Sequence, residues 1–486
     1  MRPSLRLLND TLIQQIISEA YSLLSELGIE IQNSMVLSLL SDYGARVDLA
    51  KSRAFLTQQV IDSALKTAPN AFKLFDIYGE ETHHFTESLI HFTPGSAALS
   101  ILDHETQQIR KPLTNDYINY VKLLTRLDHI ASQSTAFIPS DVHENISDSY
   151  RLFLNLLYGE KPVVTGTFTV SSFEVMKDFQ LVVRDSEKSL REKPLTVFSC
   201  CPTSPLKWSA VTSQNVLDCG KYGIPVEFIA MPLSGFMSPV SLVGTLIQHT
   251  AETLSGIVIS QLANPGAPFL YGGSPAVFDM RYETTPMGAI ETMMTDCAYN
   301  EIGKFLGLPT QAYITLSDAK YLDAQAGMET GIGGVLAALS GINNISGPGM
   351  LDFENCQSLE KLVLDNEICG MTLRLVKGIE VRDDFPALPL FQELLQEQHL
   401  LISKHTRKFL REEIYFPGPV INRANRARWR KDGESTLGER AHREVEKHLE
   451  NYTPSRLAES KKKDLIKLMH AEAKQWGQTE LPELPE

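Results

Sequence analysis

Short apolar runs alternate with amphipathic stretches eight times between residues 89 and 379, and nothing else constrains this chain as strongly. The runs are LIHFT (89–93), ASQSTAFI (131–138), PVVTGT (162–167), LTVFSC (195–200), PVEFIA (225–230), PFLYG (268–272), TQAYIT (310–315) and INNIS (342–346). Each precedes a stretch with helical apolar spacing: 114–127, 145–158, 171–185, 209–221, 239–262, 286–306, 320–340 and 357–379. Gly and Pro punctuate the junctions, as in CGKYGIP, ANPGAP, LGLP and LSGI, where helices stop and strands begin. Strands separated by helices pair in parallel, because each return to the sheet needs a crossover. Eight such units predict an α/β fold, the (β/α)8 TIM barrel. The competing open sheet normally begins with a glycine-rich phosphate loop after its first strand, and HFTPGSAALS is a poor substitute.

The flanks read differently. Residues 1–88 form an expected N-terminal, mainly helical extension: NDTLIQQIISEAYSLLSELG carries an apolar face closed by Gly28, and TQQVIDSALKTAP ends at Pro69. A short β region, FKLFDIYG, follows. Residues 89–379 form the barrel, and 380–486 a C-terminal helical extension with a Pro/Gly-bounded arm, REEIYFPGPVINRANRARWRKDG. A hydrophobic content of 43% is ample for cores of that size.

Charge excludes some functions. Forty-five basic against 59 acidic residues give −14, which repels nucleic-acid phosphates. NRANRARWRK and SKKKDLIK are solvated helix faces or a surface for an acidic partner. The N-terminus MRPSLRLLNDTLIQQ has no apolar leader region, and no run reaches the ~18 apolar residues of a membrane span. The six cysteines lack C-x-x-C spacing and read as reduced thiols of a cytoplasmic protein. Cys200 and Cys201 are adjacent, so on a strand they face opposite ways. No H-E-x-x-H or H-x-H occurs, so no metal is expected. None of the eight runs contains a lysine, which argues against Schiff-base chemistry; Lys207 and Lys320 fall on loops.

A barrel keeps its chemistry on the loops after the strands. The seventh such loop, SDAKYLDAQAGMETG, concentrates Asp318, Asp323, Gln325 and Glu329, and the first three are the expected catalytic groups. The other loops are rich in Gly, Pro, Ser and Met, with aromatics, as in MPLSGFMSP, GGSPAVFDMRYETTPMG and SGPGML; this is the make-up of a small-molecule pocket. Plainer roles compete. Asp318 reads equally as a helix N-cap, and Asp323 and Gln325 as loop-to-helix hydrogen bonders. Asp279 and Arg281 read as a local ion pair, Phe236 and Phe278 as a cover over the mouth, and His91 and His249 as core residues.

SDAKYLDAQAGMETG, GGSPAVFDMRYETTPMGAIE and FPGPVINRANRARWRKDG…LGERAHREVEKHLENY, in that order, resemble the trimethylamine methyltransferase family over nearly the whole chain. The resemblance implies a barrel that moves a methyl group from a methylated amine to the cobalt of a corrinoid (cobalamin) carried by a separate protein. No tightly bound cofactor of its own is implied. The founding trimethylamine enzymes carry pyrrolysine in the barrel; here the region around 318–330 is made of ordinary residues. That departure points to the relatives that demethylate quaternary amines, with glycine betaine first. Such a cation is held against aromatic faces, for which Phe92, Phe236, Phe278 and Tyr313 are candidates, with the Asp318 and Asp323 carboxylates adding attraction and Glu329 also expected to bind substrate. Arg281, or backbone N–H groups of PGS (94–96) or of GPG (347–349, beginning at Gly347), would meet a betaine carboxylate. The mouth is expected to stay open to the corrinoid protein, or to open by movement of the arm around 415–433. A homo-oligomer is compatible with this reading. Two alternatives stand: a barrel lyase or hydrolase using the acids, and a non-catalytic quaternary-amine binding protein.

Overall fold

The computed structural model describes residues 2–382 and 385–485. Eight short parallel strands close into a barrel: β1 His91–Thr93, β2 Gln133–Ser134, β3 Val163–Thr165, β4 Thr196–Cys200, β5 Val226–Ala230, β6 Phe269–Gly273, β7 Gln311–Tyr313 and β8 Asn344–Ser346. β2 through β6 pair in sequence order, and β7, β8 and β1 form the remaining arc. Two backbone bonds close the seams: Tyr271 N–H to the Pro309 carbonyl at 2.8 Å, and Ala131 N–H to the Phe92 carbonyl at 2.9 Å. The TIM-barrel expectation is met, and all eight expected runs contain a barrel strand.

The surrounding helices are α1 Thr114–Leu124, α2 Ser147–Tyr158, α3 Ser172–Arg184, α4 Ala210–Tyr222, α5 Leu242–Ala263, α6 Ile290–Phe305, α7 Ala324–Ser340 and α8 Leu359–Val376. Most begin a few residues later than apolar period suggests, because a side chain outside the helix supplies the cap. Ser209, Ser241, Asp323 and Ser358 accept the first free N–H groups of α4, α5, α7 and α8. Gly223 and Gly341 end α4 and α7 at φ of 71° and 77°, a conformation that costs a side-chain-bearing residue more.

One end of the barrel is plugged. The hairpin Phe72–Phe75/Glu81–Phe85 lays Leu74 and Phe85 against Val164, Val197 and Leu270 from β3, β4 and β6. Its backbone bonds to Pro194 and Glu160, just before β4 and β3, so the plug lies at the N-terminal ends of the strands. The opposite end is left for chemistry.

Residues before the barrel form helices Asp10–Ser22, Ser34–Asp42 and Gln58–Thr67, interleaved with strands Ile29–Ile31, Arg46–Asp48 and Arg53–Phe55. Of these strands, Ile29–Ile31 pairs with Lys207–Trp208 from the loop after β4 and with Arg53–Phe55, which pairs in turn with Arg46–Asp48. At three residues each they are too short for a period-two signal. After α8, helices Leu388–Glu397 and Lys404–Glu413 bury no residue. Helices Leu437–Glu450 and Glu459–Gln475 instead pack Ala441, Val445, Leu465 and Met469 onto the barrel helices. Burial of each larger apolar side chain contributes about 1.5–3 kcal/mol. All six cysteines are free thiols. No helix among the described residues is long and apolar enough to cross a membrane.

Candidate active site

A cavity of about 330 Å³ opens at the C-terminal ends of the strands. Ser96, Thr135, Gly166, Ser199, Met231, Ser274, Tyr313 and Glu354 line it, one from the end or following loop of each strand in turn. Larger hollows lie elsewhere, about 540 Å³ at the plugged end and about 740 Å³ beside Arg374 and Tyr415. The mouth cavity takes precedence because it sits at the C-terminal ends of the strands and buried ionisable groups, Arg151, Tyr313 and Glu227 beneath them, converge on it.

Two carboxylates define its chemistry. Glu227 stands in β5 with 0% exposure, just beneath the lining. It accepts from the Ser199 hydroxyl at 2.7 Å and the Asn344 amide at 3.4 Å. Burial pushes its carboxyl up to about 7, against the pull of hydrogen bonds from Ser199, Asn344 and Tyr313. Glu354 lies in the loop after β8 and accepts from the Ser96 N–H at 3.1 Å. Burial raises it to about 8; that N–H pulls it back, and the charge of Glu227 raises it further. No cationic side chain pairs with either acid among the described residues. Tyr313 joins the set, its hydroxyl 3.0 Å from that of Ser96, and burial holds the phenol well above its usual value.

Glu354 is delivered by an uncommon turn. Asp352, Phe353 and Glu354 have φ of 51°, 58° and 69°, three successive non-glycine residues in the left-handed region. Each costs on the order of 1–2 kcal/mol and persists only where surroundings hold it. Lys320, from the loop after β7, supplies that hold: its Nζ lies 3.1 Å from Asp352 Oδ1 and 3.8 Å over the Phe353 ring.

Arg151 supplies a positive group on the wall. It sits in α2, every residue of which is buried. Its Nε donates to the Ser147 carbonyl at 3.0 Å and one terminal nitrogen to the Thr135 carbonyl at 2.7 Å. Phe168 covers the guanidinium at 4.7 Å, and the Asp148 carboxylate is a nearby counter-charge. The other terminal nitrogen, Nη2, makes no hydrogen bond among the described residues.

Of the residues expected from sequence, Tyr313 lines this cavity; the others lie elsewhere. Asp318 accepts from the Met287 and Gly288 N–H groups, each at 2.9 Å, and burial raises it to about 6. Asp323 caps α7 through the Gln325 and Ala326 N–H groups at 2.9 and 3.1 Å. Glu329 accepts from the Ser317 hydroxyl at 2.6 Å, the Asp318 N–H at 2.9 Å and the Gln325 amide at 2.9 Å. These acids brace the sixth loop to the seventh. Phe236 and Phe278 stack on each other at 4.9 Å on the rim, Phe236 being 63% exposed. Arg281 forms an exposed pair with Asp279 at 2.6 Å. Phe92 is buried in the core, and Gly347 packs against the Thr315 backbone where a Cβ would collide.

Glu227, Glu354 and Arg151 escaped the sequence reading. Glu227 left a trace, as the lone charge in the apolar run PVEFIA, and so did Arg151 within SYRLFLNLLY. Glu354, in DFEN, left none, because a left-handed turn clamped by a distant lysine has no local pattern.

A sealed-bottom barrel with ionisable groups at its mouth is the architecture of an enzyme. The sequence matches the family described as trimethylamine methyltransferase (MTTB) over residues 1–476, and the chain belongs to that family of methyltransferases. It is 29% identical to the trimethylamine methyltransferase MttB of Desulfitobacterium hafniense (strain DSM 10664 / DCB-2), covering 93% of this chain and 90% of that protein. It is also 29% identical to the glycine betaine methyltransferase of Desulfitobacterium hafniense (strain Y51), covering 94% of each. The crystal structure of the Methanosarcina barkeri monomethylamine methyltransferase (MtmB) superposes with a TM-score of 0.53 at 10% identity, over 93% of this chain and 89% of that one, a likeness of fold.

Proposed function

We propose that this protein moves a methyl group from a quaternary ammonium compound, glycine betaine first, to the reduced cobalt of a corrinoid carried by a separate protein. The observation that carries this reading is the pair of Glu354, which lines the cavity, and Glu227, buried just beneath it, with no cationic partner among the described residues. A desolvated carboxylate without a counter-charge is costly, and a bound cation relieves that cost. A quaternary nitrogen has no N–H to donate, so it answers to charge and to soft or aromatic surface, here Tyr313, Phe168 and Met231. Glycine betaine also carries a carboxylate, and the free Nη2 of Arg151 is its natural partner.

The reaction asks little else of the chain. The methyl carbon leaves nitrogen for the electron pair of the reduced cobalt, and nitrogen keeps the pair of the broken bond. Dimethylglycinate thus departs with a neutral amine and its carboxylate unchanged, and the step itself consumes no proton. Positioning and electrostatics are then the protein's share. Methyl transfer discharges the nitrogen, so carboxylates that held the cation too tightly would slow the step. Glu227 in part satisfied by Ser199 and Asn344 tempers that hold. The acceptor protein would dock on the rim, where Phe236, Met237, Met280 and Tyr282 are exposed.

The test is to mix the protein with cob(I)alamin and glycine betaine. Methylcobalamin and dimethylglycine should form in equal amounts; no methylcobalamin from any betaine overturns the proposal. A barrel lyase or hydrolase is the second reading, favoured by two carboxyls near 7 and 8, which suit acid–base work at neutral pH. Turnover without any corrinoid would support it.

A further inference from the structure

Away from the mouth, four side chains from three elements converge. His104 sits in the turn between strands Ser100–Leu102 and Ile109–Arg110. Glu360 lies in the first turn of α8, 2% exposed. His442 and Glu446 stand one turn apart on helix Leu437–Glu450. Glu360 Oε1 lies 2.6 Å from His104 Nδ1 and 3.1 Å from His442 Nδ1. The same oxygen accepts from the Gln107 amide at 3.1 Å, so it acts as an acceptor and both Nδ1 atoms carry the hydrogen. The nitrogen left with a lone pair on each ring is Nε2. The rings stack at 4.0 Å between centroids with planes 22° apart. Glu446 Oε1 is 3.6 Å from His442 Nε2. One nitrogen of each imidazole and one Glu446 oxygen all lie within 4.8 Å of one another.

We propose that His104, His442 and Glu446 bind a divalent transition-metal cation of the zinc class, with Glu360 orienting both imidazoles from behind. A carboxylate on the Nδ1–H of a histidine fixes its tautomer and aims Nε2, the arrangement that supports metal-bound imidazoles. Two nitrogens and one carboxylate oxygen suit zinc better than magnesium or calcium, and a water completes four-coordination. Bonds of about 2.0–2.1 Å require the ligand atoms to draw closer and the rings to fan apart. The carboxylate, on the exposed side chain of Glu446, swings in to meet them. The ion would staple helix Leu437–Glu450 to the hairpin that follows loop one, whose Ser96 holds Glu354. The site is far from any contiguous motif, which is why the lack of H-E-x-x-H and C-x-x-C spacing is silent about it.

The test uses tag-free, full-length protein stripped with a chelator and titrated with Co²⁺, then Zn²⁺. One Co²⁺ per chain should bind, with visible d–d absorption bands that Zn²⁺ abolishes, and Zn²⁺ should raise the melting temperature. His104→Gln and His442→Gln, confirmed folded by circular dichroism, should each lose the bands and the shift. Glu360→Gln, which touches no ion, should weaken binding by about 10–100-fold. No binding with a dissociation constant under about 100 μM overturns the proposal. So does binding that survives in the folded His104→Gln/His442→Gln double variant, since the ion then sits elsewhere. Neither outcome depends on methyl-transfer activity.

Discussion

The acids of the mouth and the acids of loop seven belong to one rim, yet their surroundings oppose each other. Asp318, Asp323 and Glu329 each accept hydrogen bonds from N–H or O–H groups placed for them, so their oxygens are spoken for. Glu227, fully buried in β5, and Glu354, half-buried in the loop after β8, have no cationic partner among the described residues and are held at about 7 and about 8. A carboxylate that caps and braces contributes stability. One that is desolvated without a partner costs stability and waits for a ligand. The difference teaches that a dense cluster of acids in sequence is a weaker sign of a site than a lone acid in an apolar run.

That contrast is breakable, first through activity. Glu354→Gln or Glu227→Gln should lower kcat/KM for glycine betaine by about 100-fold or more, because a cation loses its electrostatic partner. The melting temperature should hold or rise, as a buried unpaired acid is removed. If Asp323→Ala, read in the same assay, does more damage than Glu354→Gln, the comparison fails.

The pH dependence is the next largest effect. Both carboxyls lie above their ordinary value when folded, and a bound cation favours the ionised form. Affinity for tetramethylammonium or glycine betaine should therefore rise with pH through 7 to 8, by up to about tenfold per unit, with protons released on binding. Calorimetry in buffers of different ionisation enthalpy measures that release. The unliganded fold binds more protons at these groups than the unfolded chain does, so its stability should fall as pH climbs from about 4.5 towards 8. Saturating betaine should offset the fall, and affinity that is flat from pH 6 to 8.5 would remove the acids from the site.

Arg151→Gln sharpens the reading at the opposite wall. KM for glycine betaine should rise about tenfold or more, while binding of tetramethylammonium, which has no carboxylate, should barely change. Equal losses for both would make Arg151 a packing residue. The smallest effect belongs to loop seven: Asp323→Ala should cost about 1 kcal/mol of stability through the lost cap on α7, read by denaturant titration, with KM unchanged.

Much of the architecture was legible because its causes are local. The eight runs became eight strands, and the Gly and Ser punctuation became helix ends, since caps and turns depend on neighbours a few residues away. The sequence reading of Asp323 as a hydrogen bonder at the start of α7 rests on the same local chemistry. The three-residue strands of the N-terminal extension were not legible, because they are too short to show alternation and Ile29–Ile31 depends on Lys207–Trp208 for a partner. Phe92 gave an aromatic signal without the direction of its ring, and it turned out to be core.

The amino-acid order alone determined the barrel, its eight mouth loops and the family, because period, punctuation and motif order are all written along the chain. Tertiary structure decided which acids are lonely. Glu354 enters the cavity through a left-handed turn held by Lys320, Glu227 meets Asn344 across the barrel, and His104 meets His442 only once helix Leu437–Glu450 has docked. Burial and counter-charge are properties of what surrounds a group in space, and those surroundings come from segments far apart in sequence.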